Sequence, residues 1–253
     1  MKYKIIPTII ANNQKEIDDL LLKYKPYFKH FQIDVMDGKF VKNKSNWFDF
    51  KLPKGNLYEA HLMVDKPEDW IKKNYNKFDT LIANFEKVKN PNELIKFVKS
   101  KKKEIGFALN PETSLMHLMP YLKLIDVVLI LTVHPGQYGA KFLPEILEKI
   151  EMLRMDYKGN IEVDGHQDFI NIQKCKKAGA NLFAVGSYLK NTNNLKKSAQ
   201  ELKKLLLKEV VYYKCGICGL IYESKDWAEK CEKWCKNNKG SCNSEILKRS
   251  INL

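Results

Sequence analysis

Residues 80–110, TLIANFEKVKNPNELIKFVKSKKKEIGFALN, contain an apolar run, a stretch of helical period and a second apolar run. Thr80–Glu86 and Ile105–Asn110 read as buried strands. Pro91–Lys101, opened by Asn90-Pro91, reads as the amphipathic helix between them. A strand, a helix and a second strand at this spacing form a crossover unit whose strands lie parallel.

The same alternation recurs on both sides of this unit. Ile5–Ala11, Phe31–Met36, Tyr58–Val64, Val127–Val133, Asn160–Asp164 and Leu182–Gly186 are the further strand candidates. Gln14–Tyr27, Pro67–Lys73, Ser114–Leu122, Lys141–Met155, Phe169–Ala178 and Asn193–Lys208 are the further helix candidates. Only the connection from Gly38 to Asn56 reads as a long loop. Asn110-Pro111, His134-Pro135-Gly136 and Asp164-Gly165 are turn signals at strand ends. Eight such strands in 253 residues predict an α/β fold, a (β/α)8 TIM barrel, in preference to an open doubly wound sheet.

A chain with 44% hydrophobic residues can bury one large core and carry an appendage. The opening MKYKIIPTIIANN lacks the basic, apolar and small-residue pattern of a secretion signal, and Val127–Val133 is too short to cross a bilayer. A cytoplasmic protein with no membrane partner is expected. The formal charge is +14, and residues 209–253, with eight Lys/Arg and six Asp/Glu, account for +2 of it. The remaining +12 is spread over helix faces such as Leu195–Lys208, which reads as solvated surface. Nucleic-acid binding is left open but is not the expectation.

Five of the six cysteines lie between Cys215 and Cys242. Without a secretion signal this clustering reads as metal ligation rather than disulfides. Cys215, Cys218, Cys231 and Cys235 follow C-x2-C-x12-C-x3-C, the spacing of a ββα finger with cysteine at both histidine positions. They are the expected ligands of a structural zinc, with Tyr222, Trp227 and Trp234 as a small core and Cys242 as a spare. Cys175 reads as packing. The predicted division is a barrel over residues 1–208 and a zinc-finger-like module over 209–253. Four thiolates on Zn2+ contribute −2 and cancel the module's own +2, which favours protein contact or stabilisation over nucleic-acid reading.

Barrel chemistry collects where strands end and loops begin. Alternation sets Gln32, Asp34 and Met36 on one face of the second strand; the third strand carries His61 and the seventh ends at Asp164. An inward carboxylate is costly unless paired or used. Two opposed carboxylates suit proton abstraction beside a carbonyl, one taking the proton from one face and the other returning it to the opposite face.

The blocks PTIIA (7–11), QIDVMDGKFV (32–41), HLMV (61–64), ALNPET (108–113), VHPGQYGAKF (133–142), VDG (163–165) and VGS (185–187) stand in the order and spacing of ribulose-phosphate 3-epimerases. The chain resembles that family over roughly residues 4–190. The resemblance implies an isomerase that epimerises C3 of a ketose phosphate, ribulose 5-phosphate to xylulose 5-phosphate, and a homo-oligomer. It implies Asp34 and Asp164 as the acid/base pair. It also implies one divalent metal (Zn, Fe, Mn or Co) on Asp34, His61 and Asp164, with Gln32 at the fourth ligand's position. Thr8, Met36 and Met63 would meet the substrate, and Gly136, Gly139, Gly165, Gly186 and Ser187 would cradle its phosphate.

The sequence departs from the family at several of these places. Gln32 replaces the usual histidine and is the poorer ligand for zinc or iron. Leu131 replaces a methionine, Gln137-Tyr138 alter the phosphate loop, and His166 replaces a second glycine. The competing readings are an epimerase for a hexulose phosphate of the allulose 6-phosphate type, and a non-catalytic barrel that senses a sugar phosphate and contacts protein or nucleic acid through its finger.

Overall fold

The computed structural model describes residues 2–135, 140–207, 213–222, 224–238 and 243–250. Gly136, Gly139, Gln137, Tyr138 and Cys242 lie outside the described residues. By its internal contacts the chain divides into two compact units, Met1–Lys203 and Lys204–Leu253, a few residues before the boundary expected at 208.

In the first unit the strands are β1 (Lys4–Ile9), β2 (His30–Asp37), β3 (Lys44–Ser45), β4 (Leu57–Met63), β5 (Thr80–Asn84), β6 (Glu104–Leu109), β7 (Val127–Leu131), β8 (Asn160–Asp164) and β9 (Leu182–Val185). Their order is β1-β9-β8-β7-β6-β5-β4-β2, and β1 pairs with β2 to close the ring. Every pairing around the ring is parallel, so the sheet is a closed eight-stranded barrel and not an open doubly wound sheet. β3 adds antiparallel to the end of β2, Met36 opposite Ser45, inside the segment read as loop.

The helices are α1 (Gln14–Tyr24), α2 (Pro67–Asn74), α3 (Pro91–Ser100), α4 (Ile146–Asp156), α5 (Phe169–Ala178), α6 (Ser187–Lys190) and α7 (Leu195–Leu207). Asn13 caps α1 by accepting from Glu16 N at 3.0 Å, and Glu16 returns the bond to Asn12 N at 2.8 Å. This reciprocal pair satisfies two of the free amides of a helix start. Prolines open α2 and α3, where their missing N–H costs nothing. Ser114–Leu122, read as a helix, forms two 3-10 turns, Leu115–His117 and Met119–Tyr121. Pro120 removes the donor that a continuous helix would need there. α4 begins later than expected, at Ile146, and Leu143 N ahead of it donates to Thr132 O at 2.9 Å, tying this segment to the end of β7.

The barrel interior is chemically lopsided. Ile6, Ile82, Ala108, Leu129, Leu131 and Leu182 form an apolar cluster from β1, β5, β6, β7 and β9. β2, β4 and β8 instead bury Gln32, Asp34, Glu59, His61 and Glu162. At the opposite end of the barrel from the candidate site, Arg154 is a clamp the sequence did not reveal. Its guanidinium donates to Gly179 O (2.8 Å), Tyr157 O (2.8 Å), Gly159 O (2.9 Å) and Asn181 Oδ1 (3.0 Å), tying α4 to the turns that precede β8 and β9.

The second unit holds a hairpin, β10 (Tyr213–Lys214) against β11 (Ile221–Tyr222), then α8 (Lys225–Asn237) and α9 (Ser244–Arg249). Cys215, Tyr222, Ala228, Cys231 and Cys235 make its core, with Tyr213, Leu220, Trp227 and Ile246 packed against them. Ile246 and Tyr213, rather than Trp234, complete that cluster.

Removing four charge-assisted bonds from a partly buried clamp has a measurable cost. Arg154→Ala should lower stability by about 2–3 kcal/mol and the thermal midpoint by roughly 4–10 °C. Calorimetry checks this, and an unchanged transition would mean that the clamp adds nothing.

Candidate active site

In-register pairing of β2 with β4 sets Asp34 beside His61 and Gln32 beside Glu59, and Asp164 arrives from the end of β8. His61 is fully buried and Asp34 is 4% exposed. His61 Nδ1 lies 3.1 Å from Asp164 Oδ2 and 3.5 Å from Asp34 Oδ1. The Gln32 amide donates to the same two carboxylates, 2.7 Å to Asp34 Oδ1 and 2.9 Å to Asp164 Oδ2. The structure thus brings Asp34, His61, Asp164 and Gln32 together.

The electrostatics follow from this crowding. Burial opposes a charge on His61, but hydrogen bonds and charges from Asp164 and Asp34 prevail and take it up to about 10. Burial and the charge of Asp164 push Asp34 above the usual carboxylate range, against the hydrogen bonds from His61 and Gln32. The imidazole between the two carboxyl groups thus favours its protonated form. A divalent cation can displace that proton. Ligand atoms of Asp34, His61 and Asp164 all lie within 4.8 Å of one another, a donor set such an ion fits. Gln32 faces the same point, but with its NH2 group rather than its carbonyl oxygen.

One pleat deeper lie three residues not singled out from the sequence. Glu59 and Glu162 are buried, and His30 Nε2 is 2.9 Å from Glu59 Oε2. Burial pushes Glu59 up to about 7; burial and the charge of Glu59 push Glu162 well above the usual range. The signal was there, since each glutamate stands two residues before His61 or Asp164 and so shares its face.

Above the carboxylates opens a cavity of about 360 Å3, lined among others by Thr8, Met36, Met63, Gly165, Gly186 and Ser187. Met36 and Met63 pack with Val41 and Phe40 as an apolar lip. Gly165 has φ +109°, and a Cβ there would stand 2.5 Å from Val133 Cγ2. At Gly186 a Cβ would stand 2.6 Å from Thr8 Oγ1. Both positions thus need glycine for backbone to approach the cavity. His166 adopts φ +48°, keeping the left-handed backbone that a second glycine would favour, with Nδ1 3.0 Å from Ala140 O. Thr132 and Gln167 brace this turn, Thr132 N donating to Asp164 O at 2.7 Å and Gln167 Nε2 to Gly165 O at 3.0 Å.

The loop after β2 adds further residues the sequence reading missed. Asn43 and Lys44 line the cavity. Asn46 Nδ2 donates to Ile9 O (2.8 Å) and Asp34 O (2.9 Å), fixing the ends of β1 and β2. Asp37 Oδ1 accepts from Lys39 N (2.8 Å) and Phe40 N (3.1 Å), and Oδ2 from Asp65 N (2.8 Å). The Asp37-Gly38 turn was a legible signal for that role.

The model of the Ribulose-phosphate 3 epimerase family matches residues 4–190, which include all of these strand ends. The chain belongs to the ribulose-phosphate 3-epimerase family. It is accordingly an epimerase, an isomerase of a pentose phosphate. Ribulose-phosphate 3-epimerase of Schizosaccharomyces pombe is 32% identical over 197 residues, covering 73% of this chain and 85% of that protein. The enzyme of the same name from Buchnera aphidicola is 31% identical over 220 residues, covering 81% and 96%. Among solved structures, the tryptophan synthase alpha-subunit of Pyrococcus furiosus superposes with a TM-score of 0.60 at 14% identity, over 82% of this chain and 100% of that one. KGPDC of Streptococcus mutans does so at 0.57 and 12%, over 82% and 98%. At such identities the likeness speaks for the barrel alone. No helix among the described residues is long and apolar enough to cross a membrane.

In the second unit the thiols of Cys215, Cys218, Cys231 and Cys235 also lie within 4.8 Å of one another, and none is bridged. Cys218 N points to Cys215 Sγ at 3.5 Å in a tight knuckle, which Gly219 N closes on Cys215 O at 3.0 Å. Burial raises the Cys215 thiol, but the amides of Cys218 and Ile217 outweigh it and bring it down to about 7. Such a thiol is ready to ligate as thiolate.

The Asp37 loop anchor has a pH signature. Burial pushes its carboxyl up, yet the N–H groups of Asp65, Lys39 and Phe40 hold it below the usual 3.8. A depressed carboxylate contributes stability above its unfolded pKa and loses it as pH falls through the folded value. Asp37→Asn should therefore cost about 1–3 kcal/mol at neutral pH, with the gap to wild type closing below about pH 4. Denaturant titrations at several pH values read this directly; a gap independent of pH would remove the charge as its source.

Proposed function

We propose that the chain interconverts D-ribulose 5-phosphate and D-xylulose 5-phosphate, with Asp34 and Asp164 as the acid/base pair. The observation that carries this reading is the convergence of two carboxylates from β2 and β8 on one cavity, joined through His61 and Gln32. One carboxylate removes the proton from C3 while the electron pair moves toward the C2 carbonyl, giving an enediolate. The other, protonated beforehand, delivers its proton to the opposite face of C3 and leaves that carbon inverted. Two crowded carboxyls do not both ionise freely, and burial and the charge of Asp164 favour the protonated form of Asp34.

A divalent cation on Asp34, His61 and Asp164 would supply Lewis-acid stabilisation of the enediolate oxygens. Met36 and Met63 exclude water from the reacting carbon. Backbone amides around Gly165, Gly186 and Ser187 receive the phosphate, as loops after the last strands of such barrels commonly do. Thr8 holds a hydroxyl of the substrate at the cavity wall. Family membership supports a homo-oligomer, and free cysteines are in keeping with a reducing, cytoplasmic compartment.

NMR in D2O with ribulose 5-phosphate and added Mn2+, Fe2+, Co2+ or Zn2+ tests the reaction, with an allulose 6-phosphate-type hexulose run alongside. Xylulose 5-phosphate carrying deuterium at C3 is the expected product. Asp34→Asn and Asp164→Asn should each cut turnover by about 10²–10⁴-fold with the fold intact. A near-normal rate in either variant would strip that residue of its role, and faster hexulose turnover would change the substrate.

We infer further that residues 209–253 form a separate domain around a structural zinc on Cys215, Cys218, Cys231 and Cys235. The four thiols facing one point and a core of only a few side chains support this, because so small a unit gains its stability from a metal. Cys231→Ser should lose about one zinc per chain by elemental analysis and part of the helical signal. Zinc content equal to wild type would refute the site.

A further inference from the structure

Gln32 is fully buried, and its two polar ends are unequally served. The NH2 group donates to both Asp34 and Asp164, at 2.7 and 2.9 Å, whereas Oε1 is buried without a hydrogen-bond partner. Directly across the strand pair stands Glu59, and neither of its carboxylate oxygens accepts a well-directed hydrogen bond. A carbonyl oxygen without a hydrogen-bond donor thus lies on the same interior face as Glu59, whose Oε2 has His30 Nε2 2.9 Å away. A buried acceptor left in this way costs about 1–3 kcal/mol.

A half-turn of the amide about its last side-chain bond exchanges its two ends. Oε1 then stands where NH2 now bridges the carboxyl groups, and NH2 takes the place that Oε1 now holds. Without a cation this orientation is unfavourable, because Gln32 gives up two donated hydrogen bonds and sets a third oxygen beside the two carboxyl groups. With a cation there it becomes the preferred one, because the ion gains an oxygen ligand and replaces the two donors as partner of the carboxylates. The ion itself selects the orientation.

We propose that Gln32 is a cation-selected amide switch that donates to Asp34 and Asp164 in the ion-free site and turns to ligate through Oε1 when a divalent ion enters. The inference rests on the reading that Asp34, His61 and Asp164 hold that ion. It also specifies the kind of ion. Two carboxylates, one amide oxygen and one imidazole make a donor set of three oxygens and one nitrogen. Hard, oxygen-preferring ions such as Mn2+ suit that set, and it gives up the advantage a second imidazole offers Zn2+. Gln32 is thereby a specificity-determining position for the metal.

The test uses the full chain, with its cysteine module saturated with zinc beforehand, and Mn2+ alone as probe. Mn2+ prefers oxygen and nitrogen donors to thiolates, so its electron paramagnetic resonance signal reads the barrel. Gln32→Leu should weaken Mn2+ binding about tenfold or more while its circular dichroism shows the barrel folded. Gln32→His should lower the Zn2+ concentration that displaces Mn2+ by about tenfold and add a second nitrogen to the electron spin-echo modulation of bound Mn2+. Wild-type Mn2+ affinity in Gln32→Leu, or unaltered displacement and modulation in Gln32→His, overturns the switch while leaving the cation site standing. Equal Mn2+ binding by wild type, Gln32→Leu and Asp164→Asn overturns the cation reading beneath it.

Discussion

Two aspartates forced together at the mouth of a barrel repel each other, and most of the surrounding structure answers that repulsion. Asp34 and Asp164 are brought together because β2 and β8 both point to the same face, not because their contact is favourable. His61 and Gln32 supply the donors that make the arrangement tenable, each touching both carboxylates. The glutamates one pleat below lean the other way, pushed up by burial so that they add less negative charge beneath the site. A site held this way suits proton transfer, since two carboxyl groups face one cavity with an imidazole hydrogen-bonded between them.

The lopsided interior explains how the barrel tolerates so many ionisable groups. β1, β5, β6, β7 and β9 contribute apolar side chains that pack as an ordinary core. The buried carboxyl groups and imidazole of the strands are confined to β2, β4 and β8, and β2 and β4 are adjacent and in register. Strands place side chains more rigidly than loops do, so the acid/base and cation groups sit on strands. The loops supply what must shape itself to a substrate: Asn43 at the cavity wall, Phe40 and Val41 packed against the methionines, and the Gly165–His166 turn. Asp37 and Asn46 show how the longest of these loops is tied back to the strands it interrupts.

Much of the fold was legible because burial leaves periodic traces. Parallel strands covered on both faces read as continuous apolar runs, and the helices between them show one apolar face. The errors arose where a local backbone requirement overrode the pattern. Pro120 broke a periodic stretch into 3-10 turns, and the segment around Leu143 is tied to Thr132 ahead of the helix. His166 holds a left-handed backbone at the position where the resemblance leads one to expect glycine. At the site, strand-end alternation was enough to single out Asp34, His61 and Asp164 as side chains that could converge. Glu59, Glu162 and Arg154 escaped notice because a charged residue in a strand or helix reads as exposed until its neighbours across the fold are known.

The amino-acid sequence by itself determined the alternation of strands and helices, the inward face of β2, and the cysteine spacing that can set four thiols around one point. These depend on the period of a strand or helix, a local property of the chain. Tertiary structure alone decided which carboxylates meet, which end of the Gln32 amide faces them, and which of the buried acids repel. Those outcomes depend on strands far apart in the chain closing into a ring in a particular register, which is how Gln32 and Asp164, 132 residues apart, come to share a hydrogen bond. Register is set by the packing of the whole barrel, so no single segment of the sequence encodes it.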